Sequence, residues 1–242
     1  MTPHVERLTS AADLDSAARL YREVFGYQDL AHSVNPRLLA SLAANGGSVV
    51  GVHGRGGELV AFAYGFVGMD RGEVYHYSQA AVVAAGHQGR GLGRALKRGQ
   101  REVALAGGQT RMRWSFDPSV VRNAHFNLDV LGAAGRWFRP EFFGVPDTDR
   151  MIVDWDLDDE RRAREAPAPA GLPAGLDAPA GWLRPRPAGA DTWLPLPLTS
   201  TPEQRRELGA AIAALLAGGS VAVSCVRLTP DTGAYRFVRS AP

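Results

Sequence analysis

The chain has 242 residues, 45% hydrophobic and 21% charged, which is enough apolar material for a buried core and ordinary for a folded globular protein. No run approaches the roughly 18 uninterrupted apolar residues that cross a bilayer. Met1 to Tyr21 carries Glu6, Asp13 and Asp15 instead of a signal-peptide core, and the lone Cys225 excludes an internal disulfide framework and a cysteine-based metal cluster. The expectation is a cytoplasmic protein with no membrane partner and no metal. The net charge of +2 and pI near 8.9 rest almost wholly on arginine, with Lys97 the single lysine, which reads as composition and not as a nucleic-acid footprint.

In chain order, Leu14, Ala17, Ala18, Tyr21, Val24 and Phe25 fall at helical spacing, opened by Ala11 to Asp13. Pro36 to Ala44 reads as a second short helix stopped by Asn45-Gly46-Gly47. Ser48 to His53 and Leu59 to Gly68 read as strands joined by a turn at Gly54 to Gly57, and Tyr75 to Ala84 as a further strand. A glycine turn then leads into a helix, Leu92 to Ala106, ended by Gly107-Gly108. Arg111 to Phe116 is the next strand, broken by Asp117-Pro118. Ser119 to Leu131 is expected to be one helix, Gly132 to Pro140 a break, and Met151 to Leu157 a strand.

Beyond this point the composition shifts. Eight of the 16 prolines lie between Pro167 and Pro197, and residues 161–200 are expected to be a Pro/Ala/Gly-rich connector. Pro202 to Ala217 reads as a helix capped by Thr201 and stopped by Gly218-Gly219. Val221 to Leu228 and Ala234 to Val238 would close as a hairpin. The expected organisation is a catalytic domain over 1–160, the connector, and a small helix-plus-hairpin extension over 201–242.

The strand–turn–helix over 75–106 carries the chemistry. Glycines at 89, 91 and 93 let backbone amides approach a ligand without a side chain in the way, and the helix that begins there turns its free amides and positive dipole end to the same place. Pyrophosphate is the natural occupant. Arg90 and Arg94 stand ready to add charge, within a basic run that continues through Lys97, Arg98 and Arg101; the plain alternative for that run is a solvated helix face. The spacing is wrong for the G-x-G-x-x-G dinucleotide fingerprint, and the G-K-[ST] of a Walker loop is absent.

What remains, Gln88-Gly89-Arg90-Gly91-Leu92-Gly93 between a strand and a helix, resembles the acyl-CoA pyrophosphate loop of the GNAT acyltransferase superfamily. The element order over residues 4–157 resembles the same fold. The segments Trp114-Ser115-Phe116-Asp117-Pro118, Arg122-Asn123-Ala124-His125-Phe126-Asn127, Leu131-Gly132 and Thr148-Asp149-Arg150 resemble a subfamily with a C-terminal extension. The resemblance implies an α/β (α+β) GNAT fold, a mixed central sheet flanked by helices. It also implies an N-acyltransferase in which the amine of a small metabolite, such as an amino acid, attacks the thioester of an acyl-CoA directly. Acetyl-CoA and succinyl-CoA stay open as donors.

The resemblance further assigns Val82, Val83 and Ala84 to pantetheine by backbone pairing, Gln88 through Gly93 with Arg94 to the pyrophosphate, and Asn123 to pantetheine. The base that takes the amine proton is Glu73 or His76; the alternative for His76 is a strand-face residue with a structural hydrogen bond. His76 is expected to titrate near neutrality. Arg150 either meets a substrate carboxylate or pairs with Asp149 or Asp154. The stretch Trp137 to Gly144 holds no tyrosine, where the superfamily often places the acid for the leaving thiolate. That departure motivates a second expectation, a non-catalytic acyl-CoA-binding or regulatory protein on the same scaffold. GNAT proteins are often dimers, and the hairpin edges at 221–238 are surfaces on which a homodimer would pair.

Overall fold

The structure, a computed structural model, describes residues 3–158 and 171–239. The chain divides into two compact units, Met1–Arg113 and Trp114–Pro242.

The first unit is an antiparallel meander with helices on both faces. It comprises β1 (Glu6–Arg7), α1 (Ala11–Phe25), α2 (Pro36–Ala44), β2 (Ser48–His53), β3 (Leu59–Asp70), β4 (Glu73–Val83), α3 (Leu92–Ala106) and the start of β5 (Arg111–Phe116). Local chemistry sets the helix ends. Ser10 caps α1 by accepting from the Asp13 amide, Gly26 closes it in the left-handed region at φ 68°, and Asn35 with Pro36 opens α2. Strand β2 and the first part of β3, through Gly65, are buried on both faces. Val49 and Phe62 pack with Leu14, Ala17 and Leu39 of α1 and α2; Val50, Ala61 and Ala63 pack with Leu92 and Leu96 of α3.

One irregularity in this unit matters. Tyr64 faces Ala80 but Gly65 faces Ser78, so Gln79 has no partner on β3 and forms a bulge. Because strand side chains alternate, the extra residue inverts the faces of β4. Ala80 and Val82 lie with α1 and α2, whereas Ser78 meets Lys97 and Gln100 of α3. Strand β5 runs parallel to β4 with only two paired registers, His76↔Met112 and Tyr77↔Arg113.

The second unit is built on strands in the order β7-β6-β10-β11-β9-β8, where β6 is Ala134–Arg139, β7 Arg150–Asp156, β8 Arg186–Ala188, β9 Asp191–Pro197, β10 Ser220–Arg227 and β11 Thr232–Arg239. Helix α4 (Val121–His125) and helix α5 (Pro202–Ala217) accompany them. Thr201 and Gln204 form a reciprocal capping box at the start of α5.

Three sequence expectations are corrected in this unit. The helix over 119–131 holds α geometry only from Val121 to His125 and then widens to a π turn, Phe126–Val130, closed by a Leu131 N–H to Phe126 C=O bond of 3.0 Å. Within that turn Asn127 accepts from the Trp114 indole N–H at 2.9 Å, and Asp129 accepts from the Ser224 hydroxyl at 2.6 Å and the Cys225 amide at 2.9 Å. The break expected at 132–140 contains β6, whose strand state comes from its partners on both sides, β7 and β10. The expected connector over 161–200 contains β8 and β9; its residues 161–170 lie outside the described residues. Pro195 and Pro197 argued against a strand, yet β8 pairs only with Asp191 to Trp193. The prolines sit beyond its reach, where the Pro195 carbonyl accepts from the Leu183 N–H at 2.7 Å and no ladder N–H is required of β9. The expected C-terminal hairpin forms, and it joins the sheet through β6 and β9.

Candidate functional site

The turn between β4 and α3 is shaped by two residues in the left-handed region, Gly89 at φ 75° and Gly91 at φ 78°. A Cβ built on either meets no atom within 4 Å, so glycine is required there by backbone conformation and not by crowding. Gly91 is the N-cap of α3 and has no side chain to bond the first amides of the helix. Leu92 anchors the start of the helix in the core, and Gln88 ties the turn back by donating to the Val83 carbonyl at 3.3 Å. Arg90 and Arg94 are exposed, and neither makes an ion pair or side-chain hydrogen bond among the described residues. The result is a cradle of uncapped amides flanked by two uncompensated guanidinium groups, the chemistry of an anion site. Val82, Val83 and Ala84 lead directly into it; Ala84 donates its N–H to the Val60 carbonyl at 2.9 Å.

The two candidate bases project from opposite faces of β4. Glu73 is exposed, and its carboxylate is taken up by the Arg113 guanidinium, which also stacks 4.2 Å over the Tyr75 ring. His76 lies on the α3 side with 0% exposure. Its Nε2 is 2.8 Å from the Ser48 hydroxyl, and its Nδ1 has no hydrogen-bond partner. Burial, aided by the nearby Lys97 amine, pushes the imidazole down to about 4. Titration near neutrality, expected from the sequence, is therefore corrected by desolvation: the ring is neutral at physiological pH.

A buried polar chain extends from this histidine. Lys97 donates to Ser78 at 2.8 Å, Ser78 to the Gln100 carbonyl oxygen at 2.7 Å, and the Gln100 amide to Ser48 at 3.0 Å. The contact between the Ser48 hydroxyl and His76 Nε2 closes the chain. Lys97 is only 4% exposed, and burial holds its amine well below the usual lysine range. The sequence reading placed Lys97 with the arginines of a basic face; the structure removes it from them. The signal was present, since position 97 shares a helix face with Gly93, Leu96, Gln100 and Ala104, three of which are buried.

The second unit holds the remaining candidates. Asn123 is exposed on α4, whereas Asn127 is buried and spent on Trp114. Asp117 accepts from the amide and hydroxyl of Ser119, a turn-fixing arrangement. Trp114 and Phe116 are buried, Trp114 edge-on to Trp155 at 6.2 Å. Arg150 donates to the Asp149 carbonyl at 2.8 Å and lies 5.1 Å from the Phe143 ring centroid. It makes no ion pair among the described residues; Asp154 instead pairs with Arg136 at 3.5 Å.

No protein-family model and no curated protein matches the sequence. Solved structures do resemble this one. The yncA protein of Salmonella typhimurium, solved with acetyl-CoA, is 19% identical over 71% of this chain and 100% of its own, with a TM-score of 0.52. A GNAT superfamily phosphinothricin acetyltransferase from Sinorhizobium meliloti, in complex with acetyl-CoA, is 18% identical over 72% and 97%, with a TM-score of 0.51. An aminoglycoside 6'-acetyltransferase type Ii is 13% identical over 64% and 97%, also at 0.51. The chain has the fold of GNAT acetyltransferases, a mostly antiparallel mixed sheet flanked by helices.

Proposed function

We propose that the chain is an acyl-CoA-dependent N-acyltransferase that passes an acetyl or succinyl group to the amine of a small metabolite. The observation that carries this reading is the β4–α3 cradle, with its uncapped N-terminus at Gly91 and the free charges of Arg90 and Arg94. Gln88, Gly89, Arg90, Gly91, Leu92, Gly93 and Arg94 hold the pyrophosphate. Val82, Val83 and Ala84 pair with pantetheine through their backbone, and Asn123 contacts it from α4. Arg150, free of a carboxylate partner, is the substrate carboxylate ligand in this reading.

Chemically, the amine attacks the thioester carbon, the carbon–sulfur bond breaks, and coenzyme A leaves as thiolate while the amine loses a proton. His76 and Glu73 are the proton acceptors to be tested. An imidazole lowered to about 4 is unprotonated at all physiological pH, so transfer through His76 gives a rate flat above about pH 5 instead of one rising through neutrality. The burial of His76 and the capture of Glu73 by Arg113 favour a second reading, a non-catalytic acyl-CoA-binding protein.

Thermal shift with acetyl-CoA and succinyl-CoA, paired with thiol release over a panel of small amines, decides between them. Stabilisation with turnover supports the enzyme, stabilisation without thiol release supports the binding protein, and no stabilisation by either thioester sinks both. Gly91→Asp is expected to abolish the shift, because it puts a side chain at φ 78° and a negative charge against the phosphates. Unchanged affinity in a folded variant would mean the pyrophosphate binds elsewhere.

A further inference from the structure

The second unit carries an open cavity of about 750 Å³ between the start of α4, the segment before α5, and β10, within the size range of small-molecule sites. Val121, Leu198 and Val226 give it an apolar wall, and Arg122, Arg205 and His125 also line it, although His125 Nδ1 is engaged by the Asp129 carboxylate at 3.1 Å and the Cys225 carbonyl at 3.0 Å, so the positive charge is that of the arginines. Arg227 is a third arginine in the lining. No aspartate or glutamate is among the lining residues.

The charge is largely uncompensated. Arg122 is exposed and makes no ion pair or side-chain hydrogen bond among the described residues. Arg227 donates to the neutral carbonyls of Thr229 and Pro230 at 2.9 and 3.0 Å, which fixes the guanidinium without cancelling its charge. Arg205 donates to the Ser200 carbonyl at 3.2 Å and keeps only a distant contact, 3.9 Å, with Asp147. Two of the three arginines are thus held in place by backbone oxygens, which lowers the entropy cost of presenting them to a ligand. Asn123, the residue given to pantetheine above, is not among the lining residues.

We propose that this cavity binds an organic anion, a carboxylate carried on an apolar body, with the carboxylate among the arginines and the body against Val121, Leu198 and Val226. Guanidinium groups match a planar carboxylate in two-point geometry, and an apolar wall selects against small inorganic ions that cannot bury surface there. The inference stands apart from the acyl-CoA reading.

The test is isothermal titration of the full chain with decanoate, with decyltrimethylammonium as the cationic match. Saturable decanoate binding is expected, with no binding of the cation. Arg122→Glu, at an exposed position outside the acyl-CoA machinery, is expected to weaken decanoate by about tenfold or more, while Arg122→Lys retains part of it and both variants keep the acetyl-CoA thermal shift. Absence of saturable decanoate binding overturns the proposal, as does equal binding of anion and cation, or an Arg122→Glu variant that binds as the parent does. Competition between decanoate and acetyl-CoA would also overturn it, by assigning the cavity to the thioester. A dimer in sedimentation that Arg122→Glu dissociates would overturn it in favour of a second copy of the chain. Decanoate binding without any acyl-CoA binding would leave this inference standing and remove the acyltransferase reading.

Discussion

His76 makes stability depend on pH in a direction that can be worked out beforehand. Its imidazole falls from an ordinary value of 6.5 to about 4 in the folded chain, so between those values the unfolded state binds more protons than the folded one. Stability is complete above the unfolded value and is lost as pH falls through 6.5 toward 4. The full swing corresponds to about 3 kcal/mol, of which about 2 kcal/mol is gone by pH 5. Lys97 acts in the same sense, since burial also lowers its amine, and a change at position 76 alone separates the two. His76→Gln keeps an acceptor for the Ser48 hydroxyl and does not titrate. We predict that urea unfolding followed by circular dichroism at pH 8 and pH 5 shows the parent losing about 2 kcal/mol more than His76→Gln over that interval. Equal losses in the two proteins would show that the imidazole is not desolvated, and the description of the buried chain around it would fail.

Two further predictions concern the second unit. Asp191 accepts from Arg236 twice, at 2.9 and 3.2 Å, with both residues buried. Asp191→Ala should cost about 3–5 kcal/mol in urea unfolding, and a loss near zero would show that the pair is hydrated in solution. Thr201→Ala removes the hydroxyl half of the capping box on α5; a loss of about 1 kcal/mol is expected in the same assay, while a loss above about 3 kcal/mol would mean the threonine does more than cap.

Where local chemistry decides, the sequence was readable. Ser10, Asn35 and Thr201 marked helix starts, and Gly89 and Gly91 marked a turn that needs left-handed backbone. Where partners decide, it was not. Strand β6 has little alternation of its own and is a strand because β7 and β10 supply its ladder. Strand β9 was hidden by Pro195 and Pro197, which are admissible only because β8 stops short of them. The π turn at 126–130 carries Asn127 to Trp114 and Asp129 to β10, the latter across more than 90 residues of chain. At the candidate site the anion cradle was legible and the electrostatics were not. His76 looked like a neutral-pH switch because burial on the α3 side of β4 cannot be seen until the bulge at Gln79 fixes which way the strand turns, and Lys97 looked like a surface charge because its arginine neighbours outweighed the helix spacing it shares with Leu96, Gln100 and Ala104.

That bulge also governs which changes the protein can accumulate. Glu73, Tyr75 and Tyr77 on one side of β4, and His76 and Ser78 on the other, are assigned their sides jointly by a single unpaired residue. No substitution within the strand exchanges the two sets, because substitution leaves parity untouched. Loss or gain of one residue at position 79 exchanges both at once: the polar set would be delivered to the apolar packing of α1 and α2, and the aromatic set to the amine and amide of α3. The segment before the bulge is therefore inherited as a block. Its residues drift individually in chemistry but not in orientation, and length, more than composition, is the property of β4 that descendants of this chain must keep.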